Sequence, residues 1–161
     1  MVRKLLLWVS QMLQVEVDLA RRLMDRFQNR ILEVSAPRAN RVFIRIGRED
    51  LKEAVNLLVN EGFTHLSAIT ALNAEDSLEI LYHFSGNSAL ITLRVKLPPN
   101  DFTVPTITDI IPGALLHERE AHDLFGVKFE GNPDLRPLIL PEDWPAGIHP
   151  MRKKGVSERQ A

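Results

Sequence analysis

No cysteine occurs in the chain. Its absence excludes disulfides, thiolate zinc sites, cysteine-held iron–sulfur clusters and a cysteine nucleophile, so redox chemistry has no anchor among these residues. An excess of one charge sign is missing as well. Lys and Arg number 20 against 21 Asp and Glu, a net charge of -1, and no global field draws the chain to nucleic acid or anionic lipid. Long hydrophobic runs are also lacking. The apolar stretch Leu5 to Val9 breaks at Ser10 and Gln11, short of the about 20 residues that a membrane-spanning helix needs. No small-residue cleavage site follows it, so no targeting signal is read and a cytoplasmic chain is expected. Leu5, Leu6, Leu7 and Trp8 read as a helix face docked on its own domain, with an amphipathic membrane anchor as the alternative.

Several catalytic templates are absent too. Neither Gly-x-Gly-x-x-Gly nor Gly-x-Ser-x-Gly occurs, which removes sequence support for a dinucleotide fold and for a nucleophile elbow. Gly126 and Gly131 have P-loop spacing, but Asn132 and Pro133 stand where Lys and Ser or Thr must hold phosphate and magnesium.

What is present is one folded domain's worth of chain: 161 residues, 45% hydrophobic and 25% charged. Val15 to Leu32 places apolar residues three and four apart among charges, an amphipathic helix. Arg41 to Ile46 alternates and ends at Gly47, a strand, with a shorter one expected before it over Ile31 to Ser35. Glu49 to Glu61 repeats Leu51, Ala54, Val55, Leu58 and Val59, a second amphipathic helix closed by Gly62. Phe63 to Leu72, Leu78 to Phe84 and Ala89 to Leu97 then read as an antiparallel meander with turns over Asn73 to Ser77 and Ser85 to Ser88. The fold class is α+β: a mixed, mostly antiparallel sheet with amphipathic helices on one face, followed by a helix and an extended proline-rich C-terminal arm.

Nine of the ten prolines lie beyond residue 97, so the end of the chain obeys different rules. A helix fits only over 113–125. Downstream, Pro133, Pro137, Pro141 and Pro145 recur every four residues and force an extended or turning course, with Asn132–Pro133–Asp134 as a turn. Trp144, Leu138, Ile139, Leu140 and Ile148 are too apolar for a free linker, so the arm covers either its own domain or another protein. The expected division is an α/β domain over 1–112 and a charged helix with a partner-binding arm over 113–161.

The densest polar run is His117–Glu118–Arg119–Glu120–Ala121–His122–Asp123. His117 and His122 are five apart, roughly 140° around a helix, so they do not make the facing pair of a zinc protease. No metal site is expected. Ala114, Ala121, Leu124 and Phe125 share one helical face with His117 and Glu118 at its edges; Arg119 and Asp123 lie opposite. The plain reading is a solvated helix with an Arg119–Asp123 pair worth tenths of a kcal/mol. The functional one is a charge network between helices or subunits. Met151–Arg152–Lys153–Lys154 is a small basic cluster read as a surface contact or tail.

The run from Glu118 to Arg136, Glu-Arg-Glu-Ala-His-Asp-Leu-Phe-Gly-Val-Lys-Phe-Glu-Gly-Asn-Pro-Asp-Leu-Arg, resembles the motif of the thirty-kilodalton subunit family of respiratory complex I. Leu140–Pro141–Glu142–Asp143–Trp144 and His149–Pro150–Met151–Arg152–Lys153 extend the similarity, which covers roughly residues 105–153. The departures point to one branch. Asn132 stands where that family usually has His, and Leu115–Leu116–His117 stands where it has a Trp close before Glu-Arg-Glu. Trp144–Pro145–Ala146–Gly147 puts extra residues before His149, and Ile111–Pro112–Gly113–Ala114 lies upstream. In these features the chain is similar to the relatives in energy-converting membrane-bound NiFe hydrogenases and their sulfur-reducing cousins.

The resemblance implies a non-catalytic subunit without cofactor or metal, in the hydrophilic arm of a membrane-bound complex coupled to ion translocation. Its implied partners are a large NiFe-hydrogenase-like or quinone-site subunit, an iron–sulfur small subunit and, in the same complex, antiporter-like membrane subunits. Its implied place is the cytoplasmic face of the cell membrane, peripheral and held through the complex. Glu118, Arg119, Glu120, Asp123, Phe125, Asp134, Arg136, Trp144 and Arg152 are the expected subunit-interface residues. The same role in an NADH- or ferredoxin:quinone oxidoreductase is the alternative. Further alternatives are a free-standing metal-dependent enzyme using Glu118, Glu120, Asp123 and the histidines, and a nucleic-acid module acting through Arg152, Lys153 and Lys154.

Overall fold

Strict alternation of apolar residues builds the centre of the protein. In the computed structural model, which describes residues 31–38, 40–74 and 77–153, five strands form one sheet in the order β1-β2-β5-β4-β3. They are β1 (Ile31–Arg38), β2 (Arg41–Ile46), β3 (His65–Ala74), β4 (Ser77–Gly86) and β5 (Ala89–Leu97). Leu78, Ile80, Tyr82 and Phe84 of β4 point to the same side as Ile91, Leu93, Val95 and Leu97 of β5, with which they pair. Val42, Ile44 and Ile46 of β2 pair in turn with Ile91, Leu93 and Val95. All eleven are buried in one core cluster, and burying a side chain of this size contributes roughly 1.5–3 kcal/mol.

Two connections set the topology. Asn87 and Ser88 both have positive φ, 48° and 61°, the backbone of a two-residue hairpin whose twist matches the β4 and β5 strands it joins. The parallel pairing of β2 with β5 instead needs a crossover, and α1 (Leu51–Asn60) lies in the connection that carries the chain from β2 to the far edge. Leu51, Ala54, Val55 and Leu58 of α1 are buried in the same core cluster as the inner strand residues. The chain turns out of α1 at Gly62, φ 90°, with the Phe63 N–H donating to the Leu58 carbonyl.

The other side of the sheet is polar. Arg94 donates to both carboxylate oxygens of Glu79 (3.1 and 2.7 Å), and Arg45 pairs with Glu33 at 2.9 Å. Leu81 is buried on this side and stays outside the core cluster.

Beyond the sheet, β6 (Thr103–Pro105), α2 (Ala114–Phe125) and β7 (Lys128–Glu130) form a small parallel unit with the helix as its crossover. Sequence patterning misses β6 and β7 because three residues are too few to show a period. Ala114, Ala121 and Phe125 of α2 and Val104 and Phe129 of the two strands join the core. From residue 131 to 153 the chain contains no further helix or strand. The helix expected over Val15 to Leu32 lies outside the described residues, except that Ile31 and Leu32 open β1 rather than close a helix. Lys154 and the middle of the Asn73–Ser77 turn also lie outside them.

Candidate functional site

The site grows from α2, whose charged residues turn inward and sideways. Glu118 is fully buried. Its Oε2 accepts from the Thr106 hydroxyl (2.6 Å) and from Asn132 Nδ2 (2.7 Å), while Oε1 accepts from the Ile107 N–H (2.9 Å). Burial raises its pKa above the ordinary carboxyl value, against the pull of those three donors. Asn132 Oδ1 in turn accepts from the Asp134 N–H at 2.8 Å, an Asx turn that starts the arm.

Asp123, at the other end of α2, accepts from three successive backbone N–H groups: Leu138 (2.7 Å), Ile139 (2.9 Å) and Leu140 (3.3 Å) all reach its Oδ2. Burial opposes its ionisation, but these donors and the neighbouring His122 outweigh it and hold the carboxyl below its usual range. The Arg119–Asp123 pair expected along the helix is therefore not the arrangement found. Arg119 donates instead to the Arg136 and Pro137 carbonyls (2.9 and 2.8 Å) and lies 3.8 Å from Asp134. An intrahelical pair is worth tenths of a kcal/mol, whereas backbone groups of the arm would otherwise lack partners.

The end of the arm returns to the same helix. Arg152 Nε donates to the Phe125 carbonyl at 2.8 Å, and its guanidinium stacks on the Phe102 ring 4.5 Å from the centroid. The Met151 N–H reaches the Leu124 carbonyl (3.0 Å), and His149 Nδ1 lies 2.9 Å from the Asp123 carbonyl. Asn73 of β3 donates to the Met151 carbonyl (2.7 Å) and accepts from the Lys153 N–H (3.1 Å). Gly126, φ 71°, closes α2, and a Cβ there would collide with the His149 ring and the Arg152 guanidinium.

These contacts divide the residues singled out from sequence. Glu118, Asp123 and Phe125 are buried, and Arg119, Asp134 and Arg152 are largely engaged with the chain's own backbone and side chains. Together they seat the arm. The Arg136 guanidinium beside Asp134 holds that carboxyl well below the usual carboxylate range, yet the Arg136 side chain is 81% exposed. Glu120 is exposed, and Trp144 is 39% exposed with its Nε1–H donating to the Ile148 carbonyl. Leu138, Ile139, Ile148 and Met151 are exposed beside them. Thr106, Thr108, whose hydroxyl lies 2.9 Å from that of Thr106, and Asn73 belong to the same constellation, and polar residues in strands and loops carry no periodic signal that would mark them in the sequence.

Three protein donors thus reach the Glu118 carboxylate, shared between both oxygens, and three reach Asp123, all on Oδ2. No helix among the described residues is long and apolar enough to cross a membrane.

Comparison with known proteins agrees with this architecture. The chain is 37% identical over 111 residues to a subunit of the NADH-quinone oxidoreductase of Roseiflexus sp. (strain RS-1), covering 68% of this chain and 60% of that one. It is 35% identical over 151 residues to the membrane-bound hydrogenase subunit beta of Pyrococcus furiosus, covering 86% of each. Among solved structures it is similar to a trypsin-resistant fragment (1-134) of Nqo5, with TM-score 0.63, 26% identity and coverage of 73% of this chain and 99% of that one. It shares its fold with a chain of the membrane-bound sulfane sulfur reductase, an archaeal respiratory membrane complex, at TM-score 0.76, 24% identity and 85% and 83% coverage. The profile of the family described as respiratory-chain NADH dehydrogenase, 30 Kd subunit, matches residues 44–160, and the chain belongs to that family.

Proposed function

We propose that this chain is a non-catalytic, cofactor-free subunit of a membrane-bound respiratory complex, a ferredoxin-linked NiFe hydrogenase or related sulfur reductase coupled to ion translocation. It holds the large subunit and the iron–sulfur small subunit together from the cytoplasmic face, in a complex that also contains antiporter-like membrane subunits. The similarity to the Pyrococcus hydrogenase subunit across 86% of both chains carries this reading. The same role in a quinone-reducing complex is the second reading, favoured by the 37% identity to the Roseiflexus protein over a shorter span.

In this reading residues 1–112 are the scaffold, and α2 with the arm, residues 113–161, is the gripping part. Glu118, Arg119, Asp123, Phe125, Asp134 and Arg152 set the arm's course, and Glu120, Arg136 and Trp144 present it to the partner subunits. Leu138, Ile139, Ile148 and Met151 leave apolar surface open, as an interface core requires.

The test is a mild-detergent pull-down of tagged full-length protein from its native membranes, with mass spectrometry of the partners and assays of the eluate. Co-purification of a NiFe-type large subunit with hydrogen evolution is the expected result. Quinone reduction by the eluate would move the chain to the second reading, and recovery of the chain alone would refute both.

A further inference from the structure

After Asp123 has fixed Leu138 to Leu140, the arm doubles back to His149 and encloses a cleft of about 120 Å³, lined by His122, Leu140, Glu142, Trp144, Ile148 and His149 among others. Its size is selective. Small-molecule sites span roughly 300–1,000 Å³, and this cleft is smaller, with about the volume of four water molecules or one aliphatic side chain.

The cleft is braced from within. The Trp144 N–H donates to the Pro141 carbonyl (3.0 Å) and its indole N–H to the Ile148 carbonyl (2.8 Å). His122 Nδ1 is 2.8 Å from the Val127 carbonyl, and His149 Nδ1 is 2.9 Å from that of Asp123, so each ring is oriented by backbone. Trp144 and Ile148 are nonetheless exposed, which leaves preformed apolar walls open to solvent.

Beside the two histidines, the rim of the cleft carries carboxylates. Glu142 and its neighbour Asp143 are exposed, and among the described residues neither is in an ion pair. Arg119 and Arg136 pair with Asp134, and Arg152 engages the Phe125 carbonyl and the Phe102 ring, so none of the three pairs with Glu142.

We propose that this cleft is the socket for a single leucine- or methionine-sized side chain of a partner protein, carried next to a Lys or Arg that pairs with Glu142. The proposal rests on the assembly reading above and adds the chemistry of the segment that the arm receives.

Its test replaces Ala146, which lines the cleft, by a photoreactive phenylalanine analogue in the full-length protein in its native cells. After illumination, crosslinked peptides are identified in complexes purified from the membranes. The expected crosslink joins an aliphatic residue of another subunit within two positions of a Lys or Arg. Glu142→Lys, at an exposed position outside any ion pair among the described residues, is expected to lower its yield at least tenfold, whereas Lys96→Glu on the polar side of the sheet leaves it unchanged. A crosslink to a second copy of this chain, to lipid or to a polar acidic peptide overturns the proposal, as does an unchanged yield with Glu142→Lys. If partners co-purify with the unsubstituted protein but no crosslink forms, the socket fails and the assembly reading stands. If none co-purify, both fail.

Discussion

Glu118 Oε2 and Asn132 Nδ2 lie 2.7 Å apart, a bond that ties the middle of α2 to the root of the arm. Because the same carboxylate also receives Thr106 and Ile107 from the segment after β6, one buried side chain fastens together α2, the end of β6 and the root of the arm, which the β6–β7 pairing has brought side by side. A buried charge with three donors holds geometry more than it adds stability, and that balance is measurable.

Burial places the folded-state pKa of Glu118 above the ordinary 4.5, so the native state binds this proton more tightly than the unfolded chain does. Ionised Glu118 therefore costs stability above its folded pKa, and the cost disappears as pH falls through that value toward 4.5. Urea unfolding of the wild type and Glu118→Gln between pH 7.5 and 4.5 is expected to show the wild type gaining on the variant as pH falls. A difference independent of pH would mean that the carboxyl is not perturbed.

Asp123 has the opposite sign. Its carboxyl is depressed, so its contribution is present above the ordinary 3.8 and is lost as pH falls through the folded value. Asp123→Ala removes the acceptor of three backbone N–H groups and is expected to cost about 2–3 kcal/mol. Hydrogen exchange is expected to accelerate at Leu138, Ile139 and Leu140 while the β4 and β5 amides keep their protection in proportion to global stability.

Gly126→Ala acts twice. A Cβ in the left-handed region costs about 1–2 kcal/mol, and here it also meets His149 and Arg152. Limited proteolysis is expected to cut the arm between residues 140 and 153 faster in this variant, with α2 and the sheet intact.

The Tyr82 hydroxyl is buried and has no hydrogen-bond partner among the described residues. Burial, then the nearby Glu118 carboxylate, pushes its pKa well above the usual tyrosine value. Tyr82→Phe keeps the ring in the core and removes the unpaired group, so it is expected to leave stability unchanged or raise it by about 1 kcal/mol. A loss above about 1 kcal/mol on urea unfolding would show that the hydroxyl has a partner.

The local order of the molecule was legible in the chain. Alternation at Val42, Ile44 and Ile46 and along β4 and β5 specifies strands because successive side chains must face opposite sides of a sheet. The three-and-four spacing of Leu51, Ala54, Val55 and Leu58 specifies α1 for the same kind of reason, and the proline spacing after residue 130 forbids a regular helix in the arm. Tertiary structure alone decided the rest. The parallel pairing of β2 with β5 and of β6 with β7 joins residues distant in sequence, which no local period encodes. The partners of the charged helix were hidden for the same reason. Glu118, at the edge of its helical face, is driven fully inside because Thr106, Ile107 and Asn132 bring donors to it, and Asp123 turns from Arg119 to the arm because three backbone N–H groups converge there. A residue's period sets which way it points; the donors and acceptors it meets depend on what the rest of the chain brings to that place.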